Sequence, residues 1–322
     1  MTHSHRYAKG FTLIELMISL VLGLLISAAV MQVYLTNAKT SATQKSGSEL
    51  QDASLFGIQQ LESHLRLANL GNPVDEITND TPKGGIVLSL TNMGLPEENT
   101  EYPKFLTHTA GDSDFTSASS IASVNSDQLT IQYKNITGKV LSDCESADVL
   151  IGDSADVLNG DTVIERYFIR ESLPDNKNGL VLACDAGRLD NSGVITSYAA
   201  SDPKTFGNNG QEFIMGIDQF KVLLGTQTHV AGSAGVMRYL TSADYLNNTT
   251  TPAPKPAITA VKIGLIVRGS TPVVGSSTKT TFSLLGQNHT LKSGEPNQVR
   301  TTYESTTLLR NARVVNVNTA IK

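Results

Sequence analysis

From Leu16 to Ala38 the chain runs for 23 residues without a charge, and a single carboxylate, Glu15, stands at the head of that run. Leu16–Leu35 alone makes a helix of about 30 Å, enough to cross a bilayer. Ser19, Gly23, Ser27, Ala28 and Ala29 are small and permit close helix approach. Beyond the apolar run, Leu50, Ile58, Leu61, Leu65 and Ala68 recur at the spacing of one helix face. No proline occurs before Pro73, and Gly71 with Pro73 supplies a stop. The pattern predicts one helix from Phe11 to about Asn69, roughly 90 Å long. Its first half would cross a membrane and its second half would lay an apolar face on a globular head. Gly47 and Gly57 are the places where it is expected to bend or fray.

After Pro73 the pattern becomes strand-like. Residues 86–90, 128–133, 163–169, 180–184, 213–224, 259–267, 280–285 and 300–309 read as strands. Alternation is clearest over 257–268, where Thr259, Val261, Ile263, Leu265 and Val267 form the expected core face. Asp175–Gly179 reads as a hairpin connection, and it spaces poorly as a calcium loop because Lys177 falls where an oxygen ligand belongs. Residues 107–126, rich in Ser, Thr, Asp and Gly, and the Thr/Pro tract 247–256 read as surface excursions. Neither is long enough to split the head into two domains.

Composition adds bounds. The chain has 322 residues, 39% hydrophobic and 17% charged, which is globular and neither disordered nor multi-span. The net charge is −5, and removal of residues 1–10 with Arg6 and Lys9 would leave 23 basic against 30 acidic residues. That balance argues against general nucleic-acid binding, which rests on basic surface.

The segment before the apolar run carries Arg6, Lys9 and two histidines, which should hold it on the cytoplasmic side. An ordinary secretory signal is cut after its apolar core. Here the glycine of Gly10-Phe11-Thr12-Leu13-Ile14-Glu15 comes before it. An ionisable group inside a span costs about 2.5–3.5 kcal/mol at the helix centre and usually marks function. This hexapeptide resembles the class III signal of type IV pilins and type II secretion pseudopilins. The resemblance implies cleavage after Gly10 by a prepilin peptidase/methyltransferase, N-methylation of Phe11, and an assembly or register role for Glu15. Cleavage would place a new ammonium on Phe11, one helical turn from Glu15 or beside the Glu15 of a neighbouring subunit. Either pairing would offset the desolvation of the carboxylate. The bland alternative is an uncleaved anchor with Glu15 at the membrane interface.

The head resembles PilW-type minor pilins of the type IV pilus. Glu165–Ile169, Gly179–Cys184, Met215–Gly225, Tyr239–Ala243, Ala260–Arg268 and Thr306–Asn311 follow in family order. Pro254-Lys255-Pro256 stands where that family often has a tryptophan. Cys144 and Cys184 would be two buried thiols in a cytosolic chain. Behind an export signal they are expected to form a disulfide, because the periplasm is oxidising. Closing that loop stabilises by up to about 4 kcal/mol on chain entropy.

Catalytic signals are weak. Gly111-Asp112-Ser113 and Gly152-Asp153-Ser154 lack a nucleophile context, and Gly232–Gly235 does not make a nucleophile elbow. Beyond the leader, His64, His108, His229 and His289 do not pair at metal-ligand spacing, and His64 reads as a polar-face residue of the helix. No Walker loop occurs. Arg300, Arg310 and Arg313 read as strand-edge charges, with contact to acidic partners or DNA as the alternative. No enzyme activity, cofactor or metal is expected.

The expected fold is α+β, type IV pilin-like, with a long N-terminal helix on a large antiparallel β-rich head. The division is leader 1–10, membrane and assembly helix 11–38, amphipathic helix 39–70 and periplasmic head 71–322. The resemblance implies a minor pilin of the tip or priming complex, in the inner membrane and then in the pilus. Its expected partners are the peptidase, PilX-, PilV- and FimU-like minor pilins, a tip adhesin and the major pilin. The alternatives are a GspJ-like tip pseudopilin of type II secretion and an anchored adhesin or DNA-uptake module.

Overall fold

The computed structural model describes residues 10–98, 100, 102–111, 117–151, 160–175, 179–189, 195–196, 206–227, 237–247, 255–273 and 279–312. The leader residues 1–9, Asp112-Ser113, Asp153-Ser154, His229, Gly232–Gly235, most of the Thr/Pro tract and Arg313 lie outside them.

Helix α1 spans Leu13–Leu65, 53 residues or about 80 Å. It starts two residues later than the periodicity predicts because Thr12 is its N-cap, the hydroxyl accepting from the Glu15 amide at 3.3 Å. It also ends earlier, at the C-cap Arg66, and the chain turns through left-handed Asn69 and Gly71. Asn311 explains that early stop, its side-chain amide donating to the carbonyls of Arg66 (3.2 Å) and Ala68 (3.1 Å) that a longer helix would use. Neither glycine interrupts α1. A Cβ on Gly57 would lie 2.5 Å from Cγ1 of Ile214, so this glycine is a close-packing point and not a weak one.

The strands are β1 (Leu129–Lys134), β2 (Leu141–Ser142), β3 (Asp148–Val149), β4 (Thr162–Glu171), β5 (Leu180–Leu189), β6 (Ile195–Thr196), β7 (Gln211–Met215), β8 (Ile217–Gln227), β9 (Met237–Leu240), β10 (Ala257–Pro272), β11 (Thr281–Leu284), β12 (Gln287–Thr290) and β13 (Gln298–Leu308). One sheet has the order β1-β4-β5-β6, with β7 also on β5; the other has the order β13-β10-β8-β9. Two hairpins, β2–β3 and β11–β12, complete the described strands, and every pairing is antiparallel. The 213–224 segment, predicted as one strand, is two. Gly216, at φ 70°, turns the chain from β7 in the first sheet to β8 in the second, and a Cβ there would meet the Arg268 carbonyl at 2.6 Å.

The main core lies where α1 meets both sheets. Leu50, Leu61, Leu65 and Ala68 pack with Tyr167, Leu182, Phe220, Val261, Ile263 and Leu265. The predicted core face of β10 is buried, and so is much of its opposite face, where Ile266 packs with Ile121, Phe282 and Leu284 under the β11–β12 hairpin. Residues 86–90 make only a bridge, Ile86 to Ile131, before Leu90 opens the short helix α2 (Leu90–Met93). The polar tract around 117–126 is not an excursion. Ser117, Ser119, Ser120 and Ser126 are buried because their hydroxyls or amides are bonded to backbone or to Gln219.

Candidate assembly interface

The sequence divides α1 sharply in two. Residues 10–41 are exposed without exception, and burial begins only at Ser46. Within the exposed half the large apolar side chains from Phe11 to Leu35 are at least half exposed, and this is the one described helix long and apolar enough to cross a membrane. Its hydroxyls are already satisfied: Ser19 donates to the Glu15 carbonyl (2.6 Å) and Ser27 to that of Gly23 (2.8 Å). Thr36 donates in the same way to Gln32 (2.9 Å). That back-bonding removes the polar cost of placing these residues in lipid or against another helix.

Glu15 sits in the first turn, where the helix dipole favours an anion, and no cation lies within ion-pair reach among the described residues. Phe11 precedes the cap, 85% exposed and outside the helix, so the helical-turn spacing expected between Phe11 and Glu15 does not hold. A Cβ on Gly10 would meet nothing within 4 Å, so packing does not require glycine there. Thr12 was missed by the pattern reading, although Thr12-Leu13-Ile14-Glu15 carries the Thr-x-x-Glu signature of a helix start.

At the other end, α1 is pinned to the head by a buried polar cluster. Glu165 of β4 is fully buried and accepts from Tyr167 (2.7 Å), Tyr133 (3.0 Å) and the Cys144 amide (3.2 Å), with His64 Nδ1 of α1 at 3.1 Å. Burial alone would raise the Glu165 carboxyl, but the charge and hydrogen bond of His64, with both tyrosines, hold it below its ordinary value. Burial would likewise lower His64, yet Glu165 raises it. His64 is therefore not a polar-face residue; it faces inward because Glu165 gives its ring a buried partner.

The cluster adjoins the disulfide between Cys144 and Cys184, whose Cα atoms are 6.1 Å apart. Acids crowd that bridge. Asp143 pairs with Arg188 at 2.8 Å and Asp185 with Arg166 at 2.8 Å, while Glu145 accepts from the Ala186 amide. Burial pushes Glu145 up to about 8, helped by Asp185 and Asp143, and burial pushes Asp185 up to about 6 against the pull of Arg166. Arg300 is not an edge charge: its side chain is buried and its Nε bonds Asp218 at 2.6 Å. Arg310 is exposed. Gly111 is exposed, His108 bonds the Pro103 carbonyl at 2.7 Å, and His289 is buried in β12.

Comparison with known proteins finds a match at each end of the chain. Residues 5–31 match the family model described as the prokaryotic N-terminal methylation motif. Residues 192–311 match the model described as Type IV Pilus-assembly protein W, which covers β8, β10 and β13. No curated protein matches the chain. Among solved structures, a type IV-like pilin from Thermus thermophilus aligns with 82% of this chain and 99% of its own, at 12% identity and a TM-score of 0.36. The chain thus carries a methylation motif at the head of α1 and a PilW domain in its C-terminal part.

Proposed function

We propose that this chain is a minor pilin of the tip or priming complex, a structural subunit and not an enzyme. It is inserted in the inner membrane with its head in the periplasm, cut after Gly10 by a prepilin peptidase, and methylated on Phe11. One observation carries the reading: among the described residues the apolar half-helix is wholly free of its own head, with a carboxylate at its start that none of them pairs. Such a surface calls for other helices or lipid around it, and Glu15 calls for a cation, which a processed N-terminus would supply. Gly10, free of any packing role, fits a residue read by the peptidase. The PilX-, PilV- and FimU-like minor pilins, a tip adhesin and the major pilin are the partners this reading implies.

The test is a pair of substitutions in the native cell. Gly10→Val leaves an uncut precursor, heavier by the leader, as read by mass measurement of the purified chain. Glu15→Ala inserts in the membrane but lowers surface piliation. Normal piliation with Glu15→Ala, in cells lacking redundant minor pilins, overturns the assembly role. Lost protein secretion with intact pili assigns the chain to a secretion system instead.

A further inference from the structure

We propose that residues 36–45 of α1 form a joint, a stretch of helix that unwinds and reforms while the stem stays in the membrane and the head stays folded, so that the head tilts and extends on its anchor. The inference rests on the proposed function's premise that α1 anchors the head in a membrane.

The joint lies between two fixtures. Below it, the apolar run ends at Leu35, and the support of the bilayer ends there too. Inside lipid the backbone of that run has only itself to bond, which keeps it helical. Above the joint the head takes hold abruptly at Ser46, which is fully buried beside Gly269, where a Cβ would collide with the Ser46 hydroxyl. From there the grip continues up the helix through the buried side chains of Leu50, Leu61 and Leu65. Ser270 of β10 donates to Glu49, Ser305 of β13 donates to Glu62, and Asn311 just past β13 donates to the carbonyls of Arg66 and Ala68. The upper half of α1 is thus aligned with β13 and fastened along its length.

Residues 36–45 have neither support. All of them are exposed except Ala42, which is half-buried. Thr36, Asn37, Thr40, Ser41 and Thr43 are poor helix formers, so much of the stretch disfavours the conformation it holds. The hydroxyls of Thr36, Thr40 and Thr43 donate to the carbonyls of Gln32 (2.9 Å), Thr36 (3.0 Å) and Lys39 (3.0 Å). In water such back-bonding slightly weakens and bends a helix. Lys45 reaches Glu49 at 4.0 Å, but the lysine is exposed and the pair adds little. Gly47, just above, lowers the helix propensity again. A helix shorter than about 12–15 residues is marginal in water without packing. This stretch is therefore helical when the stem is straight, and it is the part of α1 that opens most easily. It spans about 15 Å as a helix and up to about 35 Å extended, so full opening raises the head by about 20 Å. The head gains that reach toward its partners with both fixtures intact.

The experiment uses the full-length chain in lipid nanodiscs, with Cys144 and Cys184 already bonded to each other. Val33→Cys and Ser48→Cys are introduced together and carry spin labels. An unbroken helix holds these two positions about 22 Å apart. The expected result is a broad distribution of distances reaching beyond about 30 Å. Amide exchange over residues 36–45 should exceed that of the lipid-covered and head-packed stretches on either side by about a hundredfold or more. Thr36→Ala, Thr40→Ala, Ser41→Ala and Thr43→Ala together should restore a single narrow distance and slow the exchange about tenfold. A narrow distance at the helical value before those changes, with slow exchange, overturns the joint and leaves the anchored-subunit reading standing. Exchange that stays fast with all four alanines also overturns it, because weak helix propensity would not be its source. A chain absent from the membrane fraction of its cells overturns both the joint and the anchored-subunit reading.

Discussion

At the scale of single residues the head is held by charges that the fold keeps from water. His64 is held above its ordinary 6.5, so its contribution is complete below that value and is lost as the pH rises through the raised one. Glu145 acts in the same sense. Its carboxyl is pushed up to about 8, so the fold favours the neutral form and loses stability as the pH climbs toward that value. Glu165 works oppositely, its contribution present above its ordinary 4.5 and lost on acidification below it. Thermal unfolding followed from about pH 5 to 9 should therefore show a declining melting temperature toward the alkaline end. Glu145→Gln keeps an acceptor for the Ala186 amide and should flatten that decline, by about 1–2 kcal/mol at the alkaline end. An equal slope in both proteins would refute the assignment. His64→Ala strands Glu165 in the core and should cost about 3–5 kcal/mol near neutral pH, read by denaturant unfolding. Glu165 was legible in principle, because alternation in β4 puts it on one face with Val163, Tyr167 and Ile169. Its partner was not, because nothing local to α1 tells His64 from a solvated histidine.

Among the elements, α1 was the most legible, since a charge-free run followed by one apolar stripe admits few readings. Its ends were less so, being set by Thr12 and by Asn311, a residue about 245 positions away from the carbonyls it caps. The division of strands between sheets was not legible either. Gly216 looks like any glycine in a strand, and only its φ of 70° and the carbonyl of Arg268 behind it require that no side chain be there. The two helix glycines make a paired prediction. A Cβ on Gly47 meets nothing, so Gly47→Ala should stabilise by about 0.5–1 kcal/mol through helix propensity. Gly57→Ala drives a methyl into Ile214, and overpacking of about 1–3 kcal/mol should outweigh the same propensity gain. Chemical denaturation of both variants checks this, and a stabilised Gly57→Ala would show that β7 yields more readily than its packing implies.

For the whole molecule, the fold class and the split between stem and head follow from hydrophobic patterning. The polar tract around 117–126 escaped it because burial there depends on hydroxyls finding backbone partners from distant strands. The disulfide ties the Cys144 loop to β5 beside the anchor of α1. Replacing both cysteines with alanine should cost up to about 4 kcal/mol and should also loosen the seat of His64, visible as faster amide exchange near the end of α1. Slow exchange there without the bridge would show that Glu165 holds the helix unaided.

The alignment of α1 with β13 has a mechanical consequence. The attachments of stem to head at Glu49, Glu62, Arg66 and Ala68 are spread along the helix, parallel to its axis. A pull on the stem therefore loads them in shear, all at once, and cannot peel them one after another. The same contacts that set where the helix stops also make the head a fitting for tension, gripping its stem hardest along the direction in which a fibre would draw it.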